Sequence, residues 1–109
     1  MRITTHFNGA DVERAFESYV ERRLRFALAR FGSHVGQVTV RIGADGRTRN
    51  ECRISTEVLP FGRVSVEESD PDLFAALDRA TGRIGRLFGR ELGRARDSRM
   101  SRESVRTAA

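Results

Sequence analysis

Polar and apolar residues alternate from Arg2 to Phe7, with Ile3, Thr5 and Phe7 on one side and Arg2, Thr4 and His6 on the other. That period of two predicts a short strand, which Asn8-Gly9 breaks. The period then changes. Val12, Phe16, Tyr19, Val20, Ala27 and Phe31 recur at helical spacing. A helix is therefore expected from Asp11, a suitable N-cap, to about Phe31, with one side on a core. Gly32 follows where a left-handed residue is favoured. Val38, Val40 and Ile42 alternate with Thr39 and Arg41 for a second strand, and Gly43-Ala-Asp-Gly46 marks a turn, with Arg47-Thr-Arg49 still in the loop. Cys52, Ile54, Thr56 and Val58 alternate with Arg53, Ser55 and Glu57 for a third strand. Beyond Pro60-Phe-Gly62, Val64 and Val66 alternate with Arg63, Ser65 and Glu67 for a fourth. Asp70 is expected to cap a second helix, with Pro71 in its first position, running to Arg94 or Arg96.

Regular alternation means a sheet with one covered face and one wet face. The order β-α-β-β-β-α predicts an α+β fold: a two-layer sandwich with two helices packed on one face of a four-stranded, mainly antiparallel sheet. A chain of 109 residues suits one domain, expected over residues 1–96. Residues 97–109 show no apolar period and read as a disordered tail containing Arg and Ser. There is no internal repeat.

Charge changes the picture. Residues 79–109 hold nine arginines and three acids, a net +6, whereas residues 1–78 hold eleven arginines and twelve acids, a net −1. The positive charge sits in one element, which points to a polyanionic partner. Arg79, Arg83, Arg86, Arg90 and Arg94 are spaced by 4, 3, 4 and 4, one stripe along a helix at ~100° per residue. Leu73, Leu77, Ala80, Ile84 and Leu87 form a second stripe about a third of a turn away. Glu91 is the only acid between Arg79 and Arg96, so no acid of the helix itself balances most of the row. All basic residues are arginine, whose planar fork suits phosphate, but a GC-rich genome alone favours arginine and position carries more weight. Gly82, Gly85, Gly89 and Gly93 occupy a third side of this helix, each costing ~1 kcal/mol relative to alanine. Close backbone approach and fraying of the last turns are both open explanations.

Other chemistries find no residue set. The single cysteine, Cys52, excludes an intramolecular disulfide and falls in the apolar phase of a strand, as a structural thiol does. His6 and His34 have no ligand-type neighbours at metal spacing, so no metal and no cofactor is expected. No phosphate-loop glycine pattern occurs, and nothing assembles a nucleophile, base and oxyanion site, so the chain does not read as an enzyme and no small-molecule substrate is expected. No apolar run approaches the ~20 residues of a membrane span, and Met1 to His6 lacks a secretory signal's apolar stretch. A cytoplasmic protein with no membrane partner is expected.

Three stretches carry a family resemblance: Phe16-Glu-Ser-Tyr-Val-Glu-Arg-Arg-Leu24 followed by Phe31, the strand Gln37-Val-Thr-Val40, and Asp72-Leu-Phe-Ala-Ala-Leu-Asp78 opening the Arg-rich helix. They resemble the short form of the ribosome hibernation-promoting factor and ribosome-associated inhibitor family, also described as sigma-54 modulation proteins. The Asp72 to Asp78 segment is similar to its D-[ML]-[YF]-A-A-[IL]-D signature. The resemblance implies a fold like that of a double-stranded-RNA-binding domain. It also implies a bacterial stress-response factor that docks on the small ribosomal subunit and the intact ribosome, contacts ribosomal RNA and covers the mRNA and tRNA channel. Translation would stop and idle ribosomes would be preserved. The family's basic positions fall on Arg22, Arg23, Arg79, Arg83, Arg86, Arg90 and Arg94. The long form's dimerisation domain has no counterpart in these residues, so this chain alone is not expected to tether two ribosomes, and a monomer off the ribosome is expected. The four glycines depart from the family's better helix formers.

Two other classes stand beside this expectation. A general structured-RNA-binding module would bind any duplex. A protein-interaction or transcription-modulating module would use the arginines on an acidic partner.

Overall fold

The computed structural model describes residues 1–8, 14–44, 49–60 and 62–108, with side chains given for these except 8, 44 and 95–108. Strand β1 (Arg2–Asn8) leads to helix α1 (Arg14–Leu28), which tightens into a short 3-10 segment, Ala29–His34. Strands β2 (Val35–Ala44), β3 (Asn50–Val58) and β4 (Arg63–Asp70) follow, and helix α2 (Leu73–Ala108) closes the order. The sheet order is β1-β2-β3-β4, with β1 parallel to β2 and the other pairs antiparallel. The expected α+β sandwich is present. Its single parallel pair arises because a whole helix separates β1 from β2, which lets the chain return in the same direction.

One face of the sheet is covered. Val38, Val40, Ile42, Cys52, Ile54, Thr56, Val58 and Val66 are buried in the phase their alternation predicts. They meet Phe16, Val20, Leu24 and Leu28 of α1 and Leu77, Ile84, Phe88 and Leu92 of α2 in one core. Leu24 and Leu28 lie deeper than Tyr19, Ala27 and Phe31, and Phe88 is fully buried where Leu87 is only half so. Phe88 stacks on Phe31 with ring centroids 4.5 Å apart. At the other end Phe16, Tyr19 and Phe74 pack edge on or tilted, at 5.2–6.5 Å.

Several element boundaries differ from those the pattern predicts. The first helix ends its α-turns at Leu28, and Gly32 carries a positive φ of 55° inside the 3-10 segment, a conformation open to glycine. The proposed cap Asp11, and Val12, lie outside the described residues. At the second helix the cap is Asp72, not Asp70. The Asp72 carbonyl accepts the first helical bond from the Ala76 N–H at 3.1 Å, and its Oδ1 accepts the Phe74 N–H at 3.0 Å. Those two acts define an N-cap. Asp70 instead accepts the Asp72 N–H at 2.8 Å in an Asx turn, which places Pro71 before the cap. The helix also runs past Arg94 and Arg96 to Ala108. Residues 95–108 lack an apolar face but contain no glycine or proline to stop a helix.

Two of the four glycines answer to packing. A Cβ at Gly85 would stand 3.4 Å from the Ala27 carbonyl oxygen, and one at Gly89 would stand 3.4 Å from Phe31 Cζ. At these points α2 lies against α1 and the segment that follows it. A Cβ at Gly82 would meet only the tip of Arg86, and one at Gly93 would meet nothing within 4 Å.

Candidate nucleic-acid interface

Because Leu77, Ile84 and Phe88 turn α2 onto the sheet, its arginine row is carried away from the core. With Phe88 and Leu92 on the buried face, the row and the core are separated by nearly half a turn at ~100° per residue. The row is not uniform. Arg79 Nη2 donates to Asp70 Oδ2 at 2.8 Å and to the Ser69 carbonyl at 3.1 Å. Arg83 Nη1 donates to Glu68 Oε1 at 2.7 Å and to the Glu67 carbonyl at 3.3 Å. Charge balance absent from the helix sequence is thus supplied for these two by the end of β4. Arg86, Arg90 and Arg94 are exposed and make no ion pair with a described residue.

On α1 the two candidates also separate. Arg22 is exposed. Arg23 is partly covered, with Nε 3.3 Å from Asp78 Oδ1; the approach is an ion pair without hydrogen-bond geometry, and the buried Nε has no acceptor. Asp78 also accepts a hydrogen bond from the Tyr19 hydroxyl at 3.1 Å. Partial burial and this bond hold the Tyr19 phenol above its usual range. The Asp70 carboxyl is held below the usual carboxylate range, first by the Asp72 N–H and then by the Arg79 guanidinium, whose own pKa is raised by the same pairing.

One arginine escaped the sequence pattern. Arg30 lies in the 3-10 segment, its Nη2 3.5 Å from the Gly85 carbonyl and its guanidinium 4.7 Å from the centre of the Phe31 ring. It bridges the two helical elements beside Arg86. Its signal in the sequence was the spacing of Arg23, Phe26 and Arg30, which share a side at i, i+3 and i+7.

The opposite face of the molecule is different in charge. On the open side of the sheet Arg53 pairs with Glu67 at 3.0 Å, Ser55 bonds Ser65 at 2.9 Å, Arg63 lies opposite Glu57 in register, and Arg41 and Glu51 are exposed. Basic and acidic groups are interspersed there. The helical side is the one with surplus positive charge. Cys52 is buried, and desolvation, assisted by the Glu68 charge, pushes its thiol up to about 12. Among the described residues no three His, Cys, Asp or Glu side chains converge as a metal-binding group. No described helix is long and apolar enough to cross a membrane.

Residues 3–96 match the model of the family described as Sigma 54 modulation protein / S30EA ribosomal protein. The chain belongs to this family. The resemblance carried by Asp72 to Asp78 therefore holds, and the fold shows what the members of that segment do. Asp72 caps α2, Phe74 joins the aromatic cluster, Ala76 and Leu77 enter the core, and Asp78 ties α2 to Tyr19 and Arg23 of α1. Among solved structures, the N-terminal domain of Protein Y from Thermus thermophilus is similar at 29% identity and a TM-score of 0.71, covering 83% of this chain and 98% of its own. A ribosomal subunit interface protein from Coxiella burnetii shares the fold with a TM-score of 0.74 at 12% identity, over 84% of this chain and 97% of its own. No curated protein matches the chain. The Sigma 54 modulation / S30EA family is a family of ribosome-associated, non-enzymatic factors.

Proposed function

We propose that this protein is a ribosome-binding translation inhibitor that docks on the small ribosomal subunit, occludes its mRNA and tRNA channel, and preserves idle ribosomes. Membership of the family over residues 3–96 is the observation that carries it. The one-sided charge supports it: Arg22, Arg86, Arg90 and Arg94 are exposed on the helical side, where ribosomal RNA phosphates would meet them. Phosphate contacts position a protein without reading base sequence, which suits a folded RNA recognised by shape. Occlusion needs no chemistry; the folded body fills the channel and the arginines hold it there. Arg23, Arg79 and Arg83 are assigned to the same RNA-facing surface, with their acid partners setting their side-chain positions. The protein acts in the cytoplasm as a monomer off the ribosome, residues 1–96 forming the binding domain and 97–109 a tail beyond it that continues α2 to Ala108.

Co-sedimentation with ribosomes and isolated subunits, at low and physiological salt, tests this. Comigration with the small subunit and the intact ribosome near one copy each, competed by transfer RNA, is the expected result. Equal binding to free duplex RNA would leave a general RNA-binding module. Binding to no RNA at moderate salt would leave an interaction with an acidic protein. A chain ending at Arg96 is expected to bind and inhibit as the whole chain does.

A further inference from the structure

Phe26 is the most exposed large apolar side chain among the described residues, at 84% of its accessible surface. A phenyl ring left in water, off the side of α1 that Phe16, Val20, Leu24 and Leu28 bury, has no part in the core. It stands on the outer side of α1, three residues after Arg23 and four before Arg30. Across from it, α2 presents Gly82 and Gly85 and then Arg86. Together these residues line an open groove of about 470 Å³ between the helices. Gly82 leaves the α2 wall bare, since only the Arg86 tip lies within reach of an added Cβ there, while Gly85 lets α2 close on Ala27 at the groove floor. No acid lines the groove, although Asp78 pairs with Arg23 at its edge.

The occupant must therefore offer a flat apolar face for Phe26 and negative charge for Arg30 and Arg86. A nucleotide offers both. In a duplex the base faces are already stacked on their neighbours, so the base has to be unpaired or extruded. We propose that the groove seats one unpaired nucleotide of the bound RNA, its base stacked on Phe26 and its phosphate held between Arg30 and Arg86. The proposal rests on the RNA-binding function above and adds to it a contact with a base where the arginine row touches only backbone.

The test uses purified small ribosomal subunits and two variants at this exposed position, where neither disturbs the core. Phe26→Leu keeps an apolar side chain and loses the π face; affinity is expected to fall about tenfold, in the range of one base–aromatic stack, with an unchanged salt slope. The chain contains no tryptophan, so Phe26→Trp introduces a single indole fluorophore. It should keep full affinity, and its emission should be quenched when subunits bind. Wild-type affinity in Phe26→Leu, or an unquenched indole in a bound Phe26→Trp, would overturn the stacked base and leave ribosome binding intact. Self-association of the free protein, lost in Phe26→Leu, would assign the groove to a second copy and overturn it as well. Failure of the wild-type protein to bind subunits would remove the functional proposal itself.

Discussion

Arg83 Nη1 lies 2.7 Å from Glu68 Oε1, so a guanidinium of the α2 row is anchored to the edge strand of the sheet it packs on. Arg79 is anchored the same way to Asp70. The five-residue row thus has a paired beginning and, from Arg86 on, a part whose charge is not balanced by any described residue.

Ribosome or RNA binding should read this division. Each phosphate contact contributes about 0.7–0.9 to the log–log salt slope. Arg86→Gln, Arg90→Gln and Arg94→Gln together are expected to flatten the slope by roughly two to three units and weaken binding at physiological salt. Arg79→Gln with Arg83→Gln should change the slope less per arginine removed, since these charges are partly spent on acids. Filter binding or sedimentation across a salt series measures both; an equal slope change per arginine removed in the two variants would show that the acid pairing is irrelevant to binding.

Asp70 makes stability depend on pH with a defined sign. Its folded pKa is lowered, so its charge contributes stability that is present above the unfolded carboxylate pKa of about 3.9 and lost as pH falls through the folded value. Asp70→Asn can keep the Asx turn but not the charge. The variant is expected to melt below the wild type at pH 7, with the gap closing once pH drops below about 4. Thermal melts at pH 7 and pH 3 decide it; a gap of constant size would place the effect in shape and not in charge.

Gly93 touches nothing within 4 Å of where a Cβ would sit, whereas at Gly85 and Gly89 the added atom reaches 3.4 Å from Ala27 O and Phe31 Cζ. Gly93→Ala should therefore stabilise α2 by close to the helix-propensity difference, ~1 kcal/mol. Gly85→Ala and Gly89→Ala should gain less, because the same propensity gain is offset where the elements must settle around the methyl group. Urea melts of the three variants check the ranking.

Cys52 is fully buried with its thiol pushed up to about 12, so it stays protonated in the folded protein through the alkaline range. Iodoacetamide should leave it unmodified at pH 8.5 and label it fully in denaturant, as intact mass would show. An unfolded thiol ionises from about 8.5, so unfolding gains from deprotonation between there and 12, and stability falls as pH rises. Comparison with Cys52→Ala from pH 8 to 10 should show the wild type losing relative stability.

Phe88→Ala removes the largest fully buried side chain and its stack on Phe31, and should cost about 3–5 kcal/mol in denaturant unfolding.

What was legible in the sequence was whatever repeats locally. A strand half covered by helices must alternate, so Cys52, Ile54, Thr56 and Val58 announced both a strand and its buried face. An amphipathic helix must repeat near every 3.6 residues, so the arginine row and the core stripe of α2 were both visible, as was the order of elements and hence the sandwich. Relations between segments far apart in the chain carry no such period. Asp70 and Asp72 both have the chemistry of a cap, and only the path of the backbone from β4 into α2 gave one the helix and the other Arg79. Glu68 became the partner of Arg83 because β4 lies beneath that edge of α2. Phe26 stood outside the apolar spacing read for the first helix; its meaning came from the side of α1 on which Leu24 and Leu28 left it, beside Arg86 and Gly82. Local spacing is set by covalent geometry and is written in the chain, whereas which charge meets which, and which ring is left in water, follow from how two helices and a sheet share one core.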